Sequence, residues 1–325
     1  MSRHTSDTSA DLRRTYEEAL AAFVAKVQQD RSIIATILFG SLAYDDVWEK
    51  SDIDILLVSR ENKIAHRYYS LLENDISIQV HMGTRSNFRA MVERSLQGSF
   101  THSIISRSTL LFSSDDSIQD YYRNVAHVGS KDREYQLLNV VADILPVLTK
   151  AEKWLYVKKD PIYSFLWLMF LINRLAAIEV LLHNDVAMRE VVQQALAYNP
   201  AFFTRVYLDL VQQPKDEETM RQAIQMVHNY LDEKLPLLFK PILTYLAAAG
   251  AARTTTELNA HLRQKLQVED DALGYLTFAY EWLADKGVIR RVSSPLRLTE
   301  KSRVTVDEAA YYYDGGDAYA TDDSH

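Results

Sequence analysis

The sequence predicts an α+β protein in which a small mixed-sheet domain is followed by a helical bundle and a winged-helix-like domain. Strand-like and helical segments alternate over about the first 115 residues, as they do in small α/β layers. A long middle region then carries helical patterns without a strand. Near the C-terminus, three helical segments precede a strand hairpin, which is the order of a winged helix. With 47% hydrophobic residues, a chain of 325 residues can build several cores.

The composition and charge argue against several classes of protein. The chain has no cysteine, which excludes disulfides and thiolate metal sites. Its first 20 residues lack the apolar stretch of a secretory signal. The longest apolar run, residues 162–172, is too short to cross a bilayer and predicts a buried helix. A net charge of -8 argues against a surface built to bind nucleic acid. We therefore expect a cytoplasmic protein without membrane contact.

The predicted first domain, residues 1–128, opens with an amphipathic helix over 11–29, where apolar side chains recur at helical spacing. Short apolar or alternating runs predict strands, and the segments between them predict helices. The predicted strands are 33–39, 53–58, 76–82 and 108–113, and the predicted helices are 63–73 and 86–97. This alternation gives the first domain its mixed sheet.

The middle domain, residues 129–234, has a helical pattern throughout. Asn199-Pro200 marks the end of one helix and the start of the next. The predicted helices are 133–157, 161–183, 186–198, 200–212 and 216–232. We expect them to form a bundle.

The third domain, residues 235–306, is expected to be winged-helix-like, with helices at 238–249, 254–266 and 269–286. Two short strands joined by a Ser293-Ser294-Pro295 turn would follow. The remaining tail, 307–325, has six acidic residues and no Lys or Arg, which predicts that most of it is disordered.

The most informative stretch is LFGSLAYDDVWEKSDIDILLV, residues 38–58. Asp52 and Asp54 alternate along a predicted strand, so both carboxylates lie on one side of it. Two carboxylates this close repel each other unless a cation or hydrogen bonds compensate. Gly40 allows a tight turn ahead of them, and Ser41 with neighbouring N–H groups can hold phosphate oxygens. The pattern therefore predicts a hard-cation site beside a phosphate site.

This pattern resembles the signature of the DNA polymerase β-type nucleotidyltransferase superfamily, which includes the aminoglycoside nucleotidyltransferases. Gly40-Ser41 is followed by ten residues and then by Asp52-Ile53-Asp54 between apolar segments. The resemblance implies that Gly40 and Ser41 hold a triphosphate and that Asp52 and Asp54 bind divalent metal ions, Mg²⁺ or Mn²⁺. We add Ser51 and Gln79 as candidate nucleotide contacts.

The family pattern also requires a third carboxylate on a neighbouring strand, and here the sequence departs from it. The mid-strand slot in DISIQVHM holds Ser77 or Gln79, neither of which is an acid. Asp75 has the right parity, but a displacement of two residues moves it by about 6.6 Å. His81 shares the same face and could act as a base. The sequence leaves three readings open: Asp75 or His81 substitutes, catalysis is weakened, or the protein only binds nucleotide.

The function that the resemblance implies is transfer of a nucleoside monophosphate, AMP from ATP, to an acceptor hydroxyl on an unidentified small molecule or protein. The alternative is a catalytically impaired nucleotide-binding regulator that acts through the winged-helix-like domain. In the middle domain, Arg174 and Glu179 fall within an otherwise apolar helix, where they are either site residues or a structural ion pair.

The third domain gives mixed signals on nucleic-acid binding. Its predicted recognition helix, 269–286, carries five acidic residues and one lysine, which disfavours contact with DNA phosphates. The hairpin after it is locally basic and could contact DNA or an acidic partner. Its basic residues are Arg290, Arg291, Arg297, Lys301 and Arg303. Winged helices also serve as dimerisation modules, so a homodimer stays an open expectation.

Overall fold

A computed structural model describes residues 4–44, 47–95, 108–125, 130–266, 270–299 and 301–315. The chain forms two compact units, Met1–Val128 and Gly129–His325, which we describe separately.

The first unit consists of a mixed five-stranded sheet and three described helices. Helix α1 precedes the sheet, α2 follows the fourth strand, and α3 follows the fifth. The elements in chain order are α1 (His4–Val27), β1 (Ile33–Phe39), β2 (Ile53–Ser59), β3 (Tyr68–Glu73), β4 (Ile76–Thr84), α2 (Arg85–Ser95), β5 (Thr109–Ser113) and α3 (Asp116–Val125).

The strand order in this sheet is β3-β4-β2-β1-β5. Strands β2 and β4 are parallel, and the other neighbouring pairs are antiparallel. In this register Asp54 lies opposite Phe39 of β1 and opposite Gln79 of β4. Paired residues in adjacent strands share a face of the sheet, so Asp54 and Gln79 project to the same side.

Two small cores cover the sheet. Helix α1 packs Tyr16 and Phe23 against one face, together with Ile53 and Ile55 of β2. On the other face Phe88 of α2 packs with Ile118 of α3, in a core that also contains Ile37 and Val58. Asp54 and Gln79 lie on this second face and remain partly exposed, beyond the end of that core.

The prediction of a helix over residues 63–73 is wrong, because Tyr68–Glu73 form the edge strand β3. Tyr68 and Leu72 are 71% and 69% exposed, so this strand has no buried face that would produce an alternating pattern. It is held by its antiparallel pairing with β4 across a two-residue turn, Asn74-Asp75. Both turn residues have positive φ, as a tight hairpin requires.

The second unit is helical up to its last 70 or so residues, where short strands appear. Its elements are α4 (Ser130–Glu152), a π-helical turn (Lys153–Val157), α5 (Pro161–Leu182), α6 (Val191–Tyr198), α7 (Pro200–Phe203), a second π-helical turn (Thr204–Asp209), α8 (Leu210–Gln212), α9 (Glu217–Leu238), α10 (Lys240–Ala249), β6 (Arg253–Thr254), α11 (Thr255–Leu266), α12 (Asp270–Asp285), β7 (Arg290–Leu296) and β8 (Val306–Tyr312).

One continuous core joins the helical and C-terminal parts of this unit. Leu138 and Leu171 of the helices belong to the same buried cluster as Tyr280 and Tyr311 near the C-terminus. Helix α9 runs to Leu238, through the predicted boundary at 234/235. The middle and third regions are therefore one compact unit, although the helix-helix-helix-hairpin order is present in the chain.

Two details of the C-terminal region differ from the sequence prediction. Ser293-Ser294-Pro295 lies within β7 and not in a turn, and Pro295 occupies an edge strand, where a missing N–H is tolerated. The tail does not become irregular at Asp307, because β8 continues to Tyr312 between β6 and β7. Ala310 and Tyr311 are buried there, and their burial outweighs the local negative charge.

Among the described residues, only helix α5 is long and apolar enough to span a membrane by length and composition. Half of its most apolar window is buried inside the protein, as expected for a core helix. Leu171, Leu175 and Ile178 of this helix are fully buried in the main core.

Candidate functional site

The turn after β1 packs directly against the second acid of the motif. Gly40 has φ +79°, a conformation that L side chains rarely adopt. A β-carbon at Gly40 would lie 2.1 Å from Oδ2 and 2.9 Å from Cγ of Asp54. Glycine is thus required here by the backbone and by the carboxylate beside it. The turn is closed by the N–H groups of Ala43 and Tyr44, which donate to the carbonyls of Gly40 and Ser41.

Asp52 is delivered by a short turn that α1 holds in place. The Ser51 hydroxyl accepts a hydrogen bond from the N–H of Trp48 at 3.1 Å, and the Ser51 N–H donates to the Trp48 carbonyl at 2.9 Å. The buried Tyr16 hydroxyl donates to the Ser51 carbonyl at 2.8 Å. Burial and the nearby charge of Asp52 raise the pKa of Tyr16. Ser51, predicted to contact nucleotide, therefore has a structural role in this turn.

Gln79 occupies the place where the family pattern expects a third carboxylate. It pairs with Asp54 in the parallel register of β2 and β4. Adjacent strands in a sheet lie about 4.8 Å apart. Its side-chain amide donates to the hydroxyls of Ser70 at 3.1 Å and Ser77 at 3.2 Å. These bonds fix the NH₂ group, so the amide oxygen is the atom that remains to face a cation or a ligand.

Asp75, a candidate for the third acid, is not brought to the site. It lies in the β3–β4 turn with φ +62° and is exposed. It lies four positions before Gln79 in the chain, which corresponds to about 13 Å along a strand. The prediction of Asp75 as a catalytic residue is therefore wrong, because the strand register places a neutral amide opposite Asp54.

His81 lies on the same face as Asp54 and Gln79, two residues further along β4, where it pairs with Leu56. Its ring contacts Phe39 and Tyr68 edge-on, with centroid distances of 5.5 Å and 4.8 Å. Burial lowers the pKa of His81, so its imidazole is neutral at pH 7 and can accept a proton. The role of His81 as a base stays a prediction.

The side chains present fit a divalent cation that is completed by a ligand. Asp52 and Asp54 supply hard oxygen donors, and Gly40 leaves room for the Asp54 carboxylate where any other residue would block it. Among the described residues, no group of three or more His, Asp or Glu side chains could hold a metal by itself. Oxygen atoms of a bound phosphate would therefore have to complete the coordination shell.

Two features of this site were missed at the level of sequence. Tyr16 lies at an apolar position of α1. Only its hydroxyl distinguishes it from the aliphatic and phenylalanine side chains on the same face of the helix. The contact of His81 with Phe39 and Tyr68 depends on strand pairing, which the sequence does not reveal.

The two charged residues predicted in the apolar helix α5 do not pair with each other. Glu179 is 4% exposed and accepts hydrogen bonds from the Tyr230 hydroxyl at 2.7 Å and the Asn199 amide at 3.3 Å. Arg174 lies 3.8 Å from Asp143. Both have partners that account for their positions within the bundle.

The basic hairpin is partly neutralised by ion pairs. Arg291 lies 2.6 Å from Glu281 of α12, and Arg290 lies 3.7 Å from Asp314. These ion pairs reduce the net positive charge that the sequence predicts for the hairpin.

Comparisons with known proteins agree with the geometry of the first unit. Residues 23–117 match the family described as polymerase beta, nucleotidyltransferase. The fold of the chain is similar to the crystal structure of a nucleotidyltransferase-like protein from Exiguobacterium sibiricum 255-15, with a TM-score of 0.65 and 16% sequence identity. That likeness covers 92% of this chain and 99% of the other. No curated protein matches the chain. Residues 23–117 therefore form a domain of the DNA polymerase β-type nucleotidyltransferase superfamily.

Proposed function

We propose that this protein transfers a nucleoside monophosphate, AMP from ATP, to an acceptor hydroxyl and releases pyrophosphate. The observation that carries the proposal is the packing of the Gly40 turn against the Asp54 carboxylate. In this proposal the turn that would hold phosphate lies beside the acid that would hold the cation, as activation of a nucleoside triphosphate requires.

The residues have separate roles in this proposal. Ser41 and the backbone of its turn hold the phosphates, and Asp52 and Asp54 hold Mg²⁺. The bound Mg²⁺ would supply electrostatic stabilisation of the charge that develops on the transferring phosphoryl group. Tyr16 keeps the turn before Asp52 in place through the Ser51 carbonyl.

His81 takes the part of the base in this proposal. Gln79 cannot accept a proton at neutral pH, whereas the neutral imidazole of His81 can. His81 lies next to Gln79 on the same sheet face. It would remove the proton of the acceptor hydroxyl as the new phosphorus–oxygen bond forms.

The experiment incubates the protein with α-labelled ATP, Mg²⁺ and an acceptor library. We expect a labelled adenylyl product, which Asp52→Asn and Asp54→Asn abolish while both variants keep the wild-type unfolding curve. ATP binding without product in any acceptor mixture would favour a nucleotide-binding regulator. Undiminished transfer by Asp52→Asn would contradict the proposed site.

A further inference from the structure

A cavity of about 320 Å³ lies on the same sheet face as the acidic site. Helix α2 forms one wall with Phe88 and Met91, and the sheet contributes Leu56 of β2. These three side chains are apolar and belong to the core on this face of the sheet. The volume is at the lower end of the range for small-molecule sites and suits one ring-sized apolar group.

The position of this cavity relative to the acids follows from the strand register. Gly40 comes after Phe39, which pairs with Asp54, so the turn lies towards the start of β2. The cavity is lined by Leu56 and His81, a cross-strand pair located two residues beyond Asp54 in the opposite direction. This spacing corresponds to about 6.6 Å along the strand. The phosphate-binding turn and the cavity thus lie on opposite sides of Asp54.

In phosphoryl transfer the attacking and leaving oxygens lie roughly in line through the phosphorus. If the turn at Gly40 holds the phosphates that leave, the acceptor has to approach from the other side of Asp54. His81 lines the cavity at its near end, where a base for the acceptor hydroxyl is needed. The cavity therefore has the position of an acceptor subsite.

The charge of the lining restricts the class of acceptor. Among the described residues that line the cavity there is no Asp or Glu, and the polar contributors are Arg67, Tyr68, His81 and Asn87. The Asn87 side-chain oxygen is already engaged with Thr84. A polycationic aminosugar needs carboxylates in its pocket, and a cationic rim repels it.

We infer that this cavity is the acceptor subsite and that it takes a phenol-type hydroxyl compound, neutral or anionic, and not a polycation. This inference rests on the proposed function. The phenolic oxygen attacks the α-phosphorus of ATP and forms a phosphorus–oxygen bond. The bond to the β-phosphate oxygen breaks, pyrophosphate leaves, and the phenolic proton passes to His81.

The first experiment compares acceptors with labelled ATP and Mg²⁺. The probes are 4-hydroxyphenylacetate, 4-ethylphenol and tyramine, which share one ring and differ in charge, together with kanamycin. We expect kcat/KM for 4-hydroxyphenylacetate to exceed that for tyramine by about tenfold, the effect of roughly 1.4 kcal/mol. A tyrosine-containing peptide tests whether the phenol comes from a protein or a free metabolite. Preference for kanamycin over all the phenols would overturn the inference.

The second experiment fills the cavity from the small residue on its helical wall. Ala90→Trp should raise KM for the phenol about tenfold or more and leave KM for ATP unchanged, whereas Ala90→Ser should match wild type. Binding of 4-hydroxyphenylacetate, followed by saturation-transfer NMR, should be lost in Ala90→Trp alone. A rise in KM for ATP instead would place the nucleoside in the cavity and overturn the inference. Binding of ATP with Mg²⁺ but no modification of any phenol would also overturn it and leave the proposed function intact. Failure of the wild type to bind ATP would instead reject the proposed function.

Discussion

Gly40 and Asp54 are in direct contact, since a β-carbon on the glycine would lie 2.1 Å from Oδ2 of the aspartate. The contact joins the two halves of the motif, which are separated by thirteen intervening residues in the chain. Adding a single methyl group at Gly40 therefore tests whether this contact is needed for the site.

Gly40→Ala should abolish binding of ATP with Mg²⁺, because the new methyl group displaces the Asp54 carboxylate. It should also cost about 1 to 2 kcal/mol of stability, because alanine is strained at positive φ. The matched control is Gly250→Ala, where φ is +58° but a β-carbon would meet nothing within 4 Å. We expect the control to lose similar stability and to bind nucleotide normally. Equal nucleotide binding by both variants in calorimetry would contradict the role of this contact.

Tyr16→Phe should weaken the turn that delivers Asp52. Loss of the hydrogen bond to the Ser51 carbonyl should cost about 1 kcal/mol of stability, and ATP turnover should fall with it. Tyr122→Phe is the control, since this tyrosine donates to the Ser108 carbonyl elsewhere in the same unit. If both variants lose stability and neither loses turnover, Tyr16 has no positioning role. Denaturant unfolding and steady-state kinetics supply the two measurements.

Gln79→Asp should restore the carboxylate that the family pattern places opposite Asp54. We expect tighter Mn²⁺ binding in the presence of a nucleotide, and a partial recovery of transfer when the change is added to a His81→Ala background. Ser77→Asp provides the control, because Ser77 pairs with Leu72 of β3 and lies two residues before Gln79, the residue opposite Asp54. Equal effects of both aspartates would show that the register does not decide metal binding.

The pH dependence of transfer should report His81. Burial lowers the pKa of His81 in the folded protein, so the base stays neutral and active below its ordinary value of about 6.5. The sign for stability follows from proton uptake: below about 6.5 the unfolded chain binds a proton that the folded imidazole resists, so stability falls as the pH drops. His81→Gln should remove the acidic limb of the rate profile and reduce this loss of stability. An unchanged limb in the variant would exclude His81 as the base.

The sequence predicted the parts of the site that depend on local spacing. Gly40, Ser41, Asp52 and Asp54 could be assigned because a turn, an interval and an alternation are visible in one dimension. The residue that faces Asp54 could not, because strand parity allowed Ser77 or Gln79 and only the β2–β4 register distinguishes them. For the same reason Asp75 was a candidate until the turn at Asn74-Asp75 was placed.

The sequence-based prediction of strands and helices is wrong where tertiary pairing overrides local composition. Strand β3 has no buried face, and it forms because the hairpin turn aligns it with β4. Strand β8 begins in an acidic segment, and the burial of Tyr311 in the main core determines its course. Neither the pairing of β3 with β4 nor the burial of Tyr311 can be inferred from the local residue types.

The most direct test of the central claim is calorimetric titration with a non-hydrolysable ATP analogue, with Mg²⁺ or with EDTA. Wild type should bind the analogue with Mg²⁺ and lose that binding in EDTA, and Asp54→Asn should fail to bind under both conditions while it unfolds as wild type does. Binding of equal strength in EDTA, or undiminished binding by Asp54→Asn, would contradict a cation held by the acidic pair.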